Sequence, residues 1–282
     1  MHYTAHNEAH GGEVGLTELE YRSHPAISRS QLWRMNESPE KFKYFLDNPE
    51  PPTPALLFGQ VIHKLILEPE TFYAEFAIAP NVDKRTKAGK DEWARFCDVN
   101  VGKTIIPTDL METAAPMAVK VRTDPICATL LIGEHEKPFF WTDKDTGEQC
   151  KCRVDCITRY NGKRTIIDYK SAESAETRAF NSKLFKYGYH LQAGMYCTGV
   201  QKSIKLKELP GFIFIVQEKK PPYSINIVSC PDDVIQAGID KFREFIGTYH
   251  SCKETDYWYG YNGPFSEINE ATLPAWVLGG EE

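Results

Sequence analysis

The residues best placed to do chemistry fall in one short stretch: Arg153 and Asp155 before Asn161-Gly162, and Asp168 and Lys170 after it. The runs 151–157 and 164–171 read as two strands. Asn-Gly between them is a strong hairpin signal, because a type I′ turn needs positive φ at both central residues. That register sets Asp155 opposite Asp168 and Arg153 opposite Lys170. Side chains alternate along a strand, so all four converge on one face, and Val154, Ile167 and Tyr169 point to the other. Directly opposed carboxylates repel, an arrangement that becomes favourable when a divalent cation lies between them. Mg²⁺ at phosphoryl-transfer sites is held in this way, by one or two carboxylates with water and phosphate completing its oxygen shell. Lys170 on the same face is placed to contact a phosphate or to help activate an attacking water.

The remaining elements must bring further groups to this hairpin. Ser28 caps a helix running to about residue 34. Ser38-Pro39-Glu40 opens another, with a cap, a proline at the first position and an acid in the first turn. Residues 55–67 form a strongly apolar helix in which Gly59 and His63, four apart, share a face. The glycine leaves room for another backbone, and the imidazole beside it becomes a metal ligand or phosphate contact if it meets the acids. Residues 81–93 are the most basic run: Lys84, Arg85, Lys87 and Lys90 on a surface loop entering a helix, suited to phosphate-backbone contact without base readout. A helix over 108–122 contains Pro116 and continues to Gly133. Residues 136–142, 150–158 and 164–171 make a three-stranded meander, with Glu136 at its start as a third acid. Residues 177–200 are mostly helical and carry Gln192 and Tyr196 on one face. A strand at 211–216 pairs with 223–228, a long helix covers 231–249, and the aromatic tail 257–261 packs on the body.

Composition bounds the class. With 282 residues, the chain holds a substantial core. No run of about 18 apolar residues spans a membrane, and the polar first fifteen residues lack a signal-peptide core, so the expected location is cytoplasmic. The eight cysteines read as small buried hydrophobes rather than disulfides or ligands. Cys150, Cys152 and Cys156 fall on the strand face opposite Asp155. A net charge of −6 does not exclude nucleic acid, since positive charge can be concentrated locally.

In order, Gly59-x-x-x-His63, Glu136-x-Pro138-Phe139, Arg153-Val154-Asp155, Ile167-Asp168-Tyr169-Lys170 and Gln192-x-x-x-Tyr196 resemble the PD-(D/E)XK nuclease superfamily. They are most similar to its RecB-like and exodeoxyribonuclease VIII (RecE-type) branch. The flanking text agrees from about Tyr21 to Tyr261: Ile27-Ser28 leading to Ser38-Pro39, Phe58-Gly59 through Glu68-Pro69, Arg85-Thr86-Lys87-Ala88-Gly89-Lys90, and Trp258-x-Gly260-Tyr261. The resemblance implies an α/β, restriction-endonuclease-like core, a mixed central sheet flanked by helices. It implies a flexible segment 1–20, one catalytic domain over 21–265 and a tail over 266–282. His63, Asp155, Asp168 and the carbonyl of Tyr169 would bind metal; Lys170 would be catalytic; Gln192, Tyr196 and, conditionally, Glu136 would shape the site. Lys84, Arg85, Lys87, Lys90 and Arg153 would meet DNA.

The implied activity is Mg²⁺-dependent hydrolysis of linear duplex DNA from 5′ to 3′, with Mn²⁺ able to substitute. It would leave 3′ overhangs for phage or prophage recombination. The implied partners are linear duplex DNA, a single-strand annealing protein of RecT type and further copies of the chain in a ring, for instance a tetramer. The iron–sulfur relatives carry one Cys before the Gly-x-x-x-His helix and three near the C-terminus. Here no Cys precedes His63, and only Cys230 and Cys252 lie late, so no cluster is expected. Two alternatives stay open: an endonuclease or 3′→5′ enzyme on the same core, and a non-catalytic DNA-binding recombination scaffold.

Overall fold

A computed structural model describes Leu16 and residues 18–273. The expected flexible segment 1–20 and tail 266–282 therefore fall largely outside the described residues. The chain opens with α1 (Glu18–Ser23), β1 (Ile27–Ser28) and α2 (Arg29–Leu32), which runs on into a 3₁₀ turn at Trp33–Asn36. Next come α3 (Pro39–Asp47), α4 (Pro54–Leu67), α5 (Phe72–Glu75), β2 (Phe76–Ile78), α6 (Lys87–Val99) and β3 (Thr104–Ile106). Then follow α7 (Thr108–Thr123), α8 (Pro125–Leu130), β4 (Glu134–Thr142), β5 (Gln149–Tyr160) and β6 (Lys163–Ala172). The chain closes with α9 (Thr177–Lys186), α10 (Tyr189–Ser203), β7 (Gly211–Glu218), β8 (Ile225–Cys230) and α11 (Asp232–Thr255).

Local chemistry accounts for the helix starts. Ser38 and Thr53 accept the N–H groups of Lys41 and Leu56, each at 3.2 Å, with Pro39 and Pro54 at the first helical position. Thr86 likewise accepts from Gly89 at 3.0 Å, so the basic run passes from a loop into a helix at Lys87, as expected. The helix expected to continue from 108 to 133 breaks at Asp124, whose carboxylate caps α8 as a separate element. The expected helix over 177–200 is two helices, because Gly188 takes a left-handed φ of 66° beneath the Trp33 ring. The last helix runs six residues beyond its expected end, to Thr255.

The sheet is mixed and six-stranded. β4, β5 and β6 form the expected antiparallel meander, β7 joins β6 in parallel, and β8 closes the far edge antiparallel to β7. Along β6 and β7 the burial alternates: Ile166, Phe212, Phe214 and Val216 face one layer, Ile167, Tyr169, Ile213 and Ile215 the other. The first layer is built on α2, α3, α10 and α11, and the second on α4, α7 and α8. On the first side α10 and α11 cross at Gly194 and Gly238, where a Cβ on Gly238 would lie 1.8 Å from the carbonyl oxygen of His190. The aromatic tail packs as expected, Trp258 stacking on Phe42 with ring centroids 5.7 Å apart.

β1, β2 and β3 were not foreseen. β1 is only two residues long, yet it pairs in parallel with β5 at Cys150 and Lys151. Those same residues meet β4 on their other edge, so β1 and β6 share one edge of β5. Between them, residues 152–155 of β5 have no strand partner on that edge. The hairpin register from Asn161-Gly162 holds as far as Cys156 opposite Ile167. There the ladder ends, so Asp155 opposite Asp168, and Arg153 opposite Lys170, are not ladder pairs.

On the β4 side the register is constant, with His135 opposite Cys156 and Lys137 opposite Val154. The intervening position drops out because Glu136 adopts a left-handed φ of 46°. Side-chain alternation flips across this point. Val154 joins Cys150 and Cys152 in the first layer, whereas Cys156 joins Ile167 and Tyr169 in the second. The expectations that Val154 shares a face with Ile167 and Tyr169, and Cys156 one with Cys150 and Cys152, are corrected accordingly.

Candidate active site

The opening in the sheet is where the polar groups collect. With no strand partner there, the Asp155 carboxylate takes the place of one and accepts the Tyr169 N–H at 2.8 Å. α4 lies across this point and brings His63 Nδ1 to 3.3 Å from the same carboxylate oxygen. Glu136, turned by its left-handed backbone, completes the group. One ligand atom from each of His63, Glu136 and Asp155 lies within 4.8 Å of the others. A left-handed conformation at a non-glycine residue costs roughly 1–3 kcal/mol and persists where the surroundings enforce it. Here Arg153 Nε holds Glu136 Oε2 at 2.8 Å. Arg153 also lies over the Tyr21 ring.

Asp168 lies beside this triad in a different environment. Its side chain is buried; Gln192 Nε2 donates to Oδ1, and Lys170 Nζ forms an ion pair at Oδ2. Gln192 comes from the first turn of α10, which Gly188 allows to start there. Tyr196 lies one turn further on, and burial raises its hydroxyl pKa strongly. Lys170 Nζ is 5.2 Å from the centre of the Tyr189 ring.

Electrostatics set the protonation states. Burial and the Asp155 charge push the Glu136 carboxyl up to about 8, against the pull of His63. Burial opposes the His63 charge, but the Asp155 and Glu136 carboxylates outweigh it and raise the imidazole to about 9. Asp168 is pushed up to about 6 by burial and by Asp155, with Lys170 opposing. Asp155 is held low: burial raises it, and His63, Lys170 and the Tyr169 N–H together lower it further. The cluster thus retains protons that a cation would displace. Three carboxylates and an imidazole gathered around an opening suit a hard divalent cation.

Placed against the sequence reading, the structure brings together His63, Asp155, Glu136, Asp168, Lys170, Gln192 and Tyr196. The Tyr169 contact made here is through its N–H, and its phenol points into the second layer, donating to Gln217 at 2.7 Å. Gly59 faces open space rather than a second backbone. Lys84, Arg85, Lys87 and Lys90 lie at the start of α6. Lys84 lies over Trp93, and Arg85 is paired to Asp83 at 2.9 Å. One cation near the acids escaped the sequence reading. Arg29, directly after Ile27-Ser28, donates to the Tyr187 carbonyl, leaves Nε buried and without a partner, and lies within electrostatic range of Asp168 and Tyr196.

The chain belongs to the family described as "PDDEXK-like domain of unknown function (DUF3799)", which matches residues 28–269. Among solved structures it is similar to a crystal structure described as a "putative exonuclease" from Eubacterium rectale. The identity is 14%, the match covers 94% of this chain and 98% of that one, and the TM-score is 0.60. A second, the crystal structure of SSO0001, is 13% identical over 68% of this chain and 86% of that one, with a TM-score of 0.30. No curated protein matches the chain. The mixed sheet flanked by helices is therefore the PD-(D/E)XK-like fold that the sequence led one to expect, and proteins of that superfamily that cut DNA depend on metal.

Proposed function

We propose that this protein is a divalent-metal-dependent nuclease of the RecE-type branch that digests linear duplex DNA from 5′ to 3′ and leaves 3′ overhangs. The observation that carries the hydrolytic reading is the convergence of His63, Glu136 and Asp155 beside the Asp168–Lys170 pair. His63, Asp155, Asp168 and Glu136 would hold the cation, with the Tyr169 carbonyl a further donor, and Mg²⁺ or Mn²⁺ suits such a set. A cation bound there would supply a water of lowered pKa and neutralise charge gathering on the phosphate.

The chain's own residues do the rest. Asp155 is fixed by the Tyr169 N–H and His63, so its carboxylate is aimed before any substrate arrives. Gln192 fixes Asp168 from the opposite side. Lys170, already at Asp168, holds the attacking water or takes up its proton, and Arg153 keeps Glu136 turned inward. The half-buried Tyr189 ring packs beside Lys170 and limits water there.

Polarity, the recombination role, a RecT-type partner and ring assembly rest on the motif resemblance, and cytoplasmic location rests on the sequence reading. Among the described residues no helix is long and apolar enough to cross a membrane. Linear duplex labelled separately at its 5′ and 3′ ends tests the reading, with a covalently closed circle alongside. Early release of the 5′ label with the circle intact supports it. Prior loss of the 3′ label reverses the polarity, cutting of the circle makes the enzyme an endonuclease, and no hydrolysis with any divalent metal leaves a DNA-binding scaffold.

A further inference from the structure

A second charged site lies at the turn end of the same hairpin. Arg159 and Arg164 are direct cross-strand partners on β5 and β6. Like charges set opposite one another are destabilising, and a surface hairpin needs no such pair. The first residue of β6 adds Lys163, and the loop leading from α10 into β7 adds Lys207. With Glu208 and Leu209 these residues line an open cavity of about 420 Å³. The chain has 39 acidic against 33 basic side chains, so carboxylates are in excess. Even so, among the described residues none of these four cations is in an ion pair. Arg159 donates only to the Gly162 carbonyl, at 3.3 Å, and Arg164 Nε is buried with no partner. Four cations against one acid, two of them forks suited to phosphate oxygens, describe a site for a phosphate-bearing anion.

Position selects among phosphate ligands. Arg164 and Asp168 are four residues apart on β6, where the alternation is regular, and so share a face. At the usual strand rise that is about 13 Å, too far for one phosphate to touch both. A duplex carries about one charge per 1.7 Å of its axis, so a single polymeric anion readily spans the interval. We infer that the Arg159–Arg164 pocket is a second contact for the phosphate backbone of DNA, separate from the acid cluster. The inference rests on the nuclease reading for its ligand, and its test keeps the two apart.

Binding is read by fluorescence anisotropy of a labelled blunt duplex of about two helical turns in EDTA, where no cleavage occurs, across a salt series. The Arg159→Gln/Arg164→Gln variant is expected to bind about tenfold more weakly and to lose about 1–2 from the slope of log K against log salt, as for one or two phosphate contacts. Arg159→Lys/Arg164→Lys should retain the slope. Lys163→Gln/Lys207→Gln, both exposed, should lower it even if the arginine variant folds poorly. Unchanged affinity and slope in folded glutamine variants overturn the proposal. So does loss of binding to dAMP or inorganic phosphate with duplex affinity intact, which makes the pocket a free-phosphate site. Hydrolysis of bis(p-nitrophenyl) phosphate by the wild-type protein reports on the acid cluster alone. Its failure sinks the nuclease reading while leaving the binding result decisive for the pocket.

Discussion

At the scale of single residues, Glu136 and Asp155 carry a conflict that either a retained proton or a bound cation relieves. Burial and the Asp155 charge make Glu136 hold a proton, up to about 8, that it would lose in the unfolded chain. Replacing Glu136 by Gln removes the cost of holding that proton but keeps a hydrogen-bond acceptor for Arg153. The metal-free variant should therefore be more stable by about 1 kcal/mol, by the usual worth of a close charge pair at a protein surface, and should bind divalent metal at least tenfold more weakly. Thermal melts with and without Mg²⁺ check both; a variant whose metal-induced shift equals that of the wild type contradicts the role given to Glu136.

The pH dependence has a definite sign. Glu136 near 8, His63 near 9 and Asp168 near 6 all bind protons more tightly folded than unfolded. Their contribution to stability is present at low pH and is lost as pH rises through those values; Asp155, held low, acts in the opposite sense. The metal-free protein should lose stability between about pH 5 and 9, while metal affinity rises over the same range because bound protons leave. Calorimetry near pH 7 in buffers of different ionisation enthalpy should show about one to two protons released per metal bound. Zero release would mean that the cation binds elsewhere.

At the scale of elements, the geometry depends on two anchors away from the chemistry. Gly188 starts α10 in a left-handed conformation, and a Cβ there would meet the Trp33 ring at 2.3 Å. Gly188→Ala should cost about 1–2 kcal/mol from backbone conformation alone, with the ring clash in addition. By displacing Gln192 it should also lower turnover more than its effect on melting accounts for. At the other anchor the buried Asp143 accepts from Thr146 and pairs with Arg243 at 2.6 Å, tying the β4–β5 turn to α11. Burial raises this carboxyl, but the Arg243 guanidinium and its hydrogen bonds outweigh that and hold it at about 2. Its stabilisation is present above its unfolded pKa and is lost as pH falls from about 4 to 2. Asp143→Asn should reduce stability by about 2–3 kcal/mol at neutral pH and flatten the acid limb of the stability curve. Denaturant melts across pH measure both.

The elements also show what a sequence can and cannot convey. Asn161-Gly162 fixes its hairpin locally, and the register could be read as far as Cys156–Ile167 because turn geometry alone determines it. Where the ladder ends is decided by partners far away in sequence: β1 claims the edge of β5 at Cys150, and Glu136 turns out of β4. Neither leaves a local signature. A two-residue parallel strand has no periodicity, and a glutamate gives no sign that it will adopt positive φ. The site candidates, Glu136 as a third acid among them, were legible from residue type and order, whereas the left-handed turn that aims Glu136, Arg153 as its holder and Arg29 nearby were not.

At the scale of the whole molecule, α4 presents His63 to the acids from one side and leaves open space before Gly59, one turn earlier. A Cβ there would meet no atom within 4 Å outside its own helix backbone. Gly59→Val should therefore leave the fold intact, near neutral or slightly stabilising as a mid-helix glycine is replaced. If that space is the approach to the acids, the variant should hydrolyse duplex DNA several-fold less well while binding Mg²⁺ normally. Equal cleavage would place the approach on another side of the cluster. The net charge of −6 fits a protein that meets a polyanion through confined cationic sites, and duplex binding should weaken steeply with salt.

The claim beneath all of these is that one acid cluster holds a divalent cation and hydrolyses phosphodiesters there. The most direct measurement is nucleotide release from linear duplex DNA in Mg²⁺ and in EDTA, by the wild-type protein and by Asp155→Asn, with both checked for native melting. The account predicts release in Mg²⁺ only, falling about a hundredfold or more in the variant. Release that persists in EDTA, or that the folded variant retains, would contradict it.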